Sequence, residues 1–158
     1  MSKAEAMAQA TTHALACLEG VEPTERLASL GLPAPSDGMA RFRLFARDVL
    51  LDVCSWDLRH ADDGRPVRPA DRLLLLHFLA CPLPVRATGE AIGFRDFPGG
   101  QFYEGPFRSR TVKPLTERYG NRTDLLRAAL DRFDWEPVPL GDLGARVHAF
   151  GPLSMTLV

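Results

Sequence analysis

Pro69-Ala70-Asp71-Arg72-Leu73-Leu74-Leu75-Leu76-His77-Phe78-Leu79-Ala80 is the stretch on which the fold turns. A proline at the first helical position sacrifices no hydrogen bond, and a carboxylate in the first turn faces the positive end of the helix dipole. Pro69 and Asp71 therefore open a helix. Pro82 and Pro84, which cannot donate into one, close it. From Leu73 to Ala80 the run is apolar on every side except at His77. A helix with no polar face belongs in a domain centre, so a central helix buried all round is expected at 70–80.

Upstream, residues 3–19 are rich in Ala, Leu, Met and Glu, good helix formers, and Gly20 stops them. Ala6, Ala10, His13, Ala14 and Cys17 share a weakly apolar face. Thr24, Arg26, Leu27 and Leu30 predict a second short helix ending at Gly31, and Pro33 to Gly38 a loop. Arg41 to Ala46 and Val49 to Cys54 read as two strands of a hairpin broken at Arg47-Asp48. Trp56 to Arg59 reads as a third strand, before a turn at Asp62-Asp63-Gly64.

Downstream, residues 85–107 mix five glycines with Phe94, Phe97, Phe102, Tyr103 and Phe107, which predicts an ordered loop with short strands. A helix near Pro114 and a clearer one from Thr123 through Phe133 follow. Pro137, Pro139, Gly141 and Gly144 predict another loop, then two short strands, Val147–Phe150 and Leu153–Val158. The fold class expected is α+β: one small antiparallel sheet packed on the buried central helix, with flanking helices. Residues 1–158 form one domain, with 1–31 a helical segment and 39–158 the main body.

Hydrophobic residues are 46% and charged residues 25% of 158, the balance of a globular protein, and the net charge of −1 argues against a general nucleic-acid binder. No apolar run is long enough to span a bilayer. Cys17, Cys54 and Cys81 form no Cys-x-x-Cys pair, so no zinc or iron–sulfur site is expected from this chain alone. Each is expected to act as a small buried hydrophobe. An odd cysteine count without a secretion-signal core points to the cytoplasm.

At 73–107 the segments Leu-Leu-Leu-Leu-His-Phe-Leu, Thr-Gly-Glu-Ala-Ile-Gly-Phe-Arg-Asp-Phe-Pro-Gly-Gly-Gln-Phe-Tyr and Gly-Pro-Phe-Arg-Ser-Arg resemble an uncharacterised domain family, mainly of anaerobic bacteria and archaea. The resemblance runs from about residue 70 to the C-terminus and more weakly upstream. Some relatives are attached to iron–sulfur domains, which implies a setting in redox or corrinoid-linked metabolism. The resemblance implies no established activity. Relatives continue with strand-like sequence where this chain ends at Val158, so a domain incomplete at its C-terminus is an alternative.

Three features could carry chemistry. A neutral His77 in an apolar helix suits a ligand or base, though a core histidine bonded to a carbonyl is the plainer alternative. Gly99 and Gly100 after Pro98 let backbone amides approach an anion, with Arg95, Arg108 and Arg110 around them. From Arg86 to Arg122 the net charge is +3 and the remainder carries −4. The alternative is that these arginines pair with Glu90, Asp96 and Glu104. Phe102, Tyr103 and the neighbouring phenylalanines could line a pocket for a flat ligand or pack the loop onto the core. No dinucleotide fingerprint, P-loop, nucleophile elbow or His-Glu-x-x-His motif occurs.

The expected ligand-binding set is therefore His77, Arg95, Gly99, Gly100, Phe102, Tyr103, Arg108 and Arg110, with no metal and no identifiable cofactor. The expected role is a noncatalytic binding or accessory module for an anionic small molecule, a cofactor or a redox partner protein. The alternatives are a structural subunit joining copies through the C-terminal strand, and an enzyme using His77 or Tyr103 as acid or base.

Overall fold

A computed structural model describes residues 2–81 and 88–158. Pro82 and Pro84 as helix stops, and Arg86 in the basic count, lie outside the described residues. The described chain is α+β, with six α-helices and two antiparallel three-stranded sheets, where one sheet was expected. It divides into two compact units, Met1–Arg86 with Ala149–Leu153, and Ala87–His148 with Ser154–Val158.

The first unit holds α1 (Lys3–Ala16), α2 (Pro23–Ser29), β1 (Met39–Leu44), β2 (Arg47–Asp52), β3 (Asp57–His60) and α3 (Pro69–Leu79). Ser2 and Glu5 form a capping box on α1, with amide contacts of 3.2 and 2.7 Å that satisfy two orphan donors. The buried face of α1 is Ala14 and then Leu18 just past its end, while His13 and Cys17 are exposed. Strict alternation puts Ala40, Phe42 and Leu44 of β1 inward against Val49 and Leu51 of β2 and Leu58 of β3. Leu75, Leu76 and Leu79 of α3 close this core, and Phe78 meets Phe150 edge-on at 4.9 Å.

The expectation for α3 needs correcting. The helix is buried on one side only: Leu74 is 46% exposed and His77 is exposed. Positions 75, 76 and 79 share the inward face at helical spacing, which turns 74 and 77 outward. An unbroken leucine run does not itself reveal which side the core covers. The cysteines differ likewise, since Cys17 and Cys54 are exposed and Cys81 half-buried.

The β1–β2 turn is shifted as well. Phe45 and Ala46 make it, and Arg47 and Asp48 begin β2. Phe45 takes a left-handed conformation (φ 55°) and donates its amide to Ala149, a contact distant in sequence. Asp48 pairs across the sheet with Arg41 at 2.7 Å. In the β2–β3 turn the amides of Cys54 and Ser55 donate to Asp52, which holds its carboxyl below the usual range. A depressed carboxylate stabilises above its unfolded-state pKa and loses that contribution as pH falls through its folded-state value. Asp52→Asn is accordingly expected to lower stability at pH 7 and to converge with the parent at the acid end, read by urea titrations across that range.

The second unit holds a 3-10 turn (Phe94–Asp96), α4 (Gly100–Arg110), α5 (Val112–Tyr119), α6 (Thr123–Leu130), β4 (Trp135–Val138), β5 (Gly144–Phe150) and β6 (Leu153–Leu157); the end of β5 and the start of β6 belong with the first unit. Its core is small: Leu130, Leu143, Ala145 and Val147, flanked by Leu126, Trp135 and Leu157. Of the loop expected at 85–107, the described residues from 88 on hold the 3-10 turn and the first part of α4, because Gly99 and Gly100 start a helix rather than punctuate a loop. The loop expected from Pro137 contains β4, whose Pro137 lies opposite Ala145. As an edge strand, β4 tolerates a residue without an amide donor.

Candidate functional site

Phe94 organises the segment singled out in the sequence. Its ring stacks on Phe107 at 4.1 Å and 5° and lies 6.1 Å from Tyr103 and 6.3 Å from Phe97. The 3-10 turn that carries it is tied by the Gly93 amide donating to Asp96 at 2.6 Å. Gly99 (φ 76°) then reverses the chain into α4 through a conformation that side chains resist. Gly100 is buried, and a Cβ there would sit 2.1 Å from the Phe94 carbonyl oxygen. The two glycines thus let α4 return against the turn. Their visible role is packing.

Phe94, Phe97, Tyr103 and Phe107 pack on one another around this turn and join neither hydrophobic core. Phe102 does not join them and stands 84% exposed. Tyr103 is partly exposed, and its hydroxyl accepts from the Arg110 guanidinium, which also lies 5.6 Å from the ring. Arg95 pairs with Glu104 at 3.2 Å. Arg108 has no hydrogen-bond or ionic partner among the described residues. The structure therefore gathers Arg95, Gly99, Gly100, Tyr103 and Arg110 on the 3-10 turn and α4. His77 belongs to the first unit, exposed on α3.

Each unit holds arginines paired with carboxylates and others, such as Arg26 and Arg65 in the first, whose guanidinium groups have no carboxylate partner among the described residues. In the first, Arg41, Arg47, Arg68 and Arg72 face Asp48, Asp62, Asp71 and Asp57 at 2.7–2.8 Å. From α4 onward in the second, Arg146 pairs with Glu136 at 2.8 Å, whereas Arg108, Arg110, Arg118, Arg122, Arg127 and Arg132 have no carboxylate partner among the described residues. Arg118 lies over Tyr119 at 5.7 Å and Arg127 over Trp135 at 5.6 Å.

Where α5 gives way to α6, an open groove of about 370 Å³ is walled by Arg118, Tyr119, Arg122 and Arg132 and floored by Leu125 and Ala129. Sequence reading included Arg118 and Arg122 only in a charge count and missed Arg132. The available signal was spacing: Arg118, Arg122 and Arg132 bracket a short helix whose groove side is Leu125, Ala128 and Ala129. A second hollow, in the first unit, is lined by Asp57, Arg59 and Arg72 beside Val67 and Pro69. Neither includes His77 or Tyr103. Among the described residues no three His, Cys, Asp or Glu side chains converge as metal ligands, and no helix is long and apolar enough to cross a membrane.

No curated protein and no solved structure matches the chain significantly. A single family model covers most of its length, including all of α2 through β6. The chain belongs to the family described as a domain of unknown function, DUF3786, whose model matches residues 22–158.

Proposed function

We propose that this chain is a noncatalytic binding module for an anionic small ligand, a cofactor or a redox partner protein, with α4–α6 as its binding face. One observation supports this most: six arginines from Arg108 to Arg132 lack a carboxylate partner among the described residues. Three of them, Arg118, Arg122 and Arg132, line one groove, and guanidinium groups sharing a site repel one another until an incoming anion relieves that repulsion while accepting directed hydrogen bonds. We propose in addition a redox setting, which the resemblance of the central segment implies, and a cytoplasmic location, which the odd number of unpaired cysteines suggests.

A thermal-shift and native-mass screen with carboxylate and phosphate anions tests it. A saturating anion is expected to raise the melting temperature by several degrees, since ligand at a hundred times Kd adds about 2.7 kcal/mol. Arg108→Ala combined with Arg132→Ala should remove most of that rise. Absence of any anion-specific rise in the parent would reject binding of an anionic small ligand, the reading that the arginines support.

A structural reading has its own support. Among the described residues, every exposed large apolar side chain except Leu74 belongs to the second unit. The strand β6 is an edge of its sheet, with Met155 53% exposed. Pairing of β6 edges between copies would give a dimer by light scattering, and a proline at Met155 should return it to monomer.

A further inference from the structure

Resting on the binding role proposed above, we propose that the α5–α6 groove takes a phosphoryl group on a small soluble molecule, held by Arg118, Arg122 and Arg132. The lining contains three guanidinium groups and no acidic side chain. A monocarboxylate would offset one of the three charges, whereas a phosphate monoester or pyrophosphate carries close to two or more and presents several acceptor oxygens.

The groove is also partly pre-organised. Nε of Arg122 donates to the Tyr119 carbonyl at 3.3 Å, and its Nη2 donates to the Arg118 carbonyl. The second bond occupies the Arg118 carbonyl, the first joins the Arg122 backbone amide (2.9 Å) on the Tyr119 carbonyl, and together they fix the plane of the guanidinium. An arginine has five N–H donors, so Arg122 keeps others for a ligand. Arg118 is steadied over the Tyr119 ring, and Arg132 has no partner among the described residues. The groove is open to solvent, so a small soluble phosphate can reach all three guanidinium groups from one side.

Isothermal titration of the full chain at constant ionic strength, with pyrophosphate, inorganic phosphate, succinate and acetate as probes, tests the assignment. Pyrophosphate is expected to bind most tightly and acetate least. Arg132→Gln and Arg118→Gln should each weaken pyrophosphate binding by about tenfold or more, as loss of a charged hydrogen bond implies. These two variants leave the Arg122 bonds to the α5 carbonyls in place, and circular dichroism verifies that they fold. Unchanged pyrophosphate affinity in both would overturn the assignment.

Succinate binding as tight as pyrophosphate would overturn it too while leaving the broader anion-binding role standing. Failure of all four probes would remove both. Vesicles containing phosphatidylglycerol separate a lipid headgroup from a soluble phosphate: capture on vesicles without pyrophosphate binding would also contradict the assignment.

Discussion

Replacing Gly100 with alanine is expected to destabilise the second unit by about 3 kcal/mol or more, the upper range for forcing an atom into a filled space. The added methyl would stand 2.1 Å from the Phe94 carbonyl oxygen and close to the Phe94 and Arg95 carbonyl carbons. These are backbone atoms, so no rotamer change relieves the clash, and the 3-10 turn must lift off α4 with its Phe94–Phe107 stack. Helix propensity alone predicts the opposite sign, because alanine is favoured over glycine in a helix by roughly 1 kcal/mol. Gly105, in the same helix, is the comparison: beyond its chain neighbours and its own helix backbone nothing lies within 4 Å of a would-be Cβ, but it precedes Pro106, whose ring crowds a Cβ on the residue before it. Gly105→Ala sets the gain in helix propensity against that pre-proline crowding and should cost far less than Gly100→Ala. Urea titrations of the two variants read the difference, and a stabilising Gly100→Ala would show that α4 does not pack on the turn as described.

Leu76→Ala is expected to cost about 2–5 kcal/mol in the first unit, the range for emptying a filled leucine site. Leu76 is fully buried and belongs to the cluster that joins α3 to the β1–β2–β3 sheet. Leu74→Ala, two residues away, should cost well under 1 kcal/mol, because that side chain is already half in water. The pair decides between a helix covered on one face and one buried all round. Equal losses at 74 and 76 would restore the buried rod that the leucine run suggests, and with it a buried His77.

How far the sequence carried depended on the kind of signal. Local chemistry was legible. Pro69 and Asp71 place the start of α3, Gly31 the end of α2, and the alternation from Ala40 to Leu58 the strands of the first sheet. What failed depends on contacts between distant residues. Phe45 gives its amide to Ala149, which moves a hairpin turn that residue preference puts at Arg47-Asp48. Gly100 reads as a loop breaker until Phe94 is seen to occupy the space of its Cβ. Pro137 reads as a loop until β4 proves to be an edge strand.

The candidate site followed the same division. The excess of basic residues was visible as a count. Which arginines find carboxylates was not, because Arg95 meets Glu104 across the turn while Arg108, one turn further along α4, meets none among the described residues. The groove escaped notice since its lining comes from the end of α5 and from residues flanking both ends of α6, which are not neighbours in sequence. Exposure of His77 could not be read from a run of leucines that marks no face.

Amide chemical-shift mapping of the uniformly labelled chain during titration with pyrophosphate, at fixed ionic strength, tests the central claim most directly. Saturable shifts are expected to concentrate between residues 108 and 132, strongest around Arg118, Arg122 and Arg132. Saturable shifts centred instead on the carboxylate-paired arginines of the first unit, or none at all, would contradict the account.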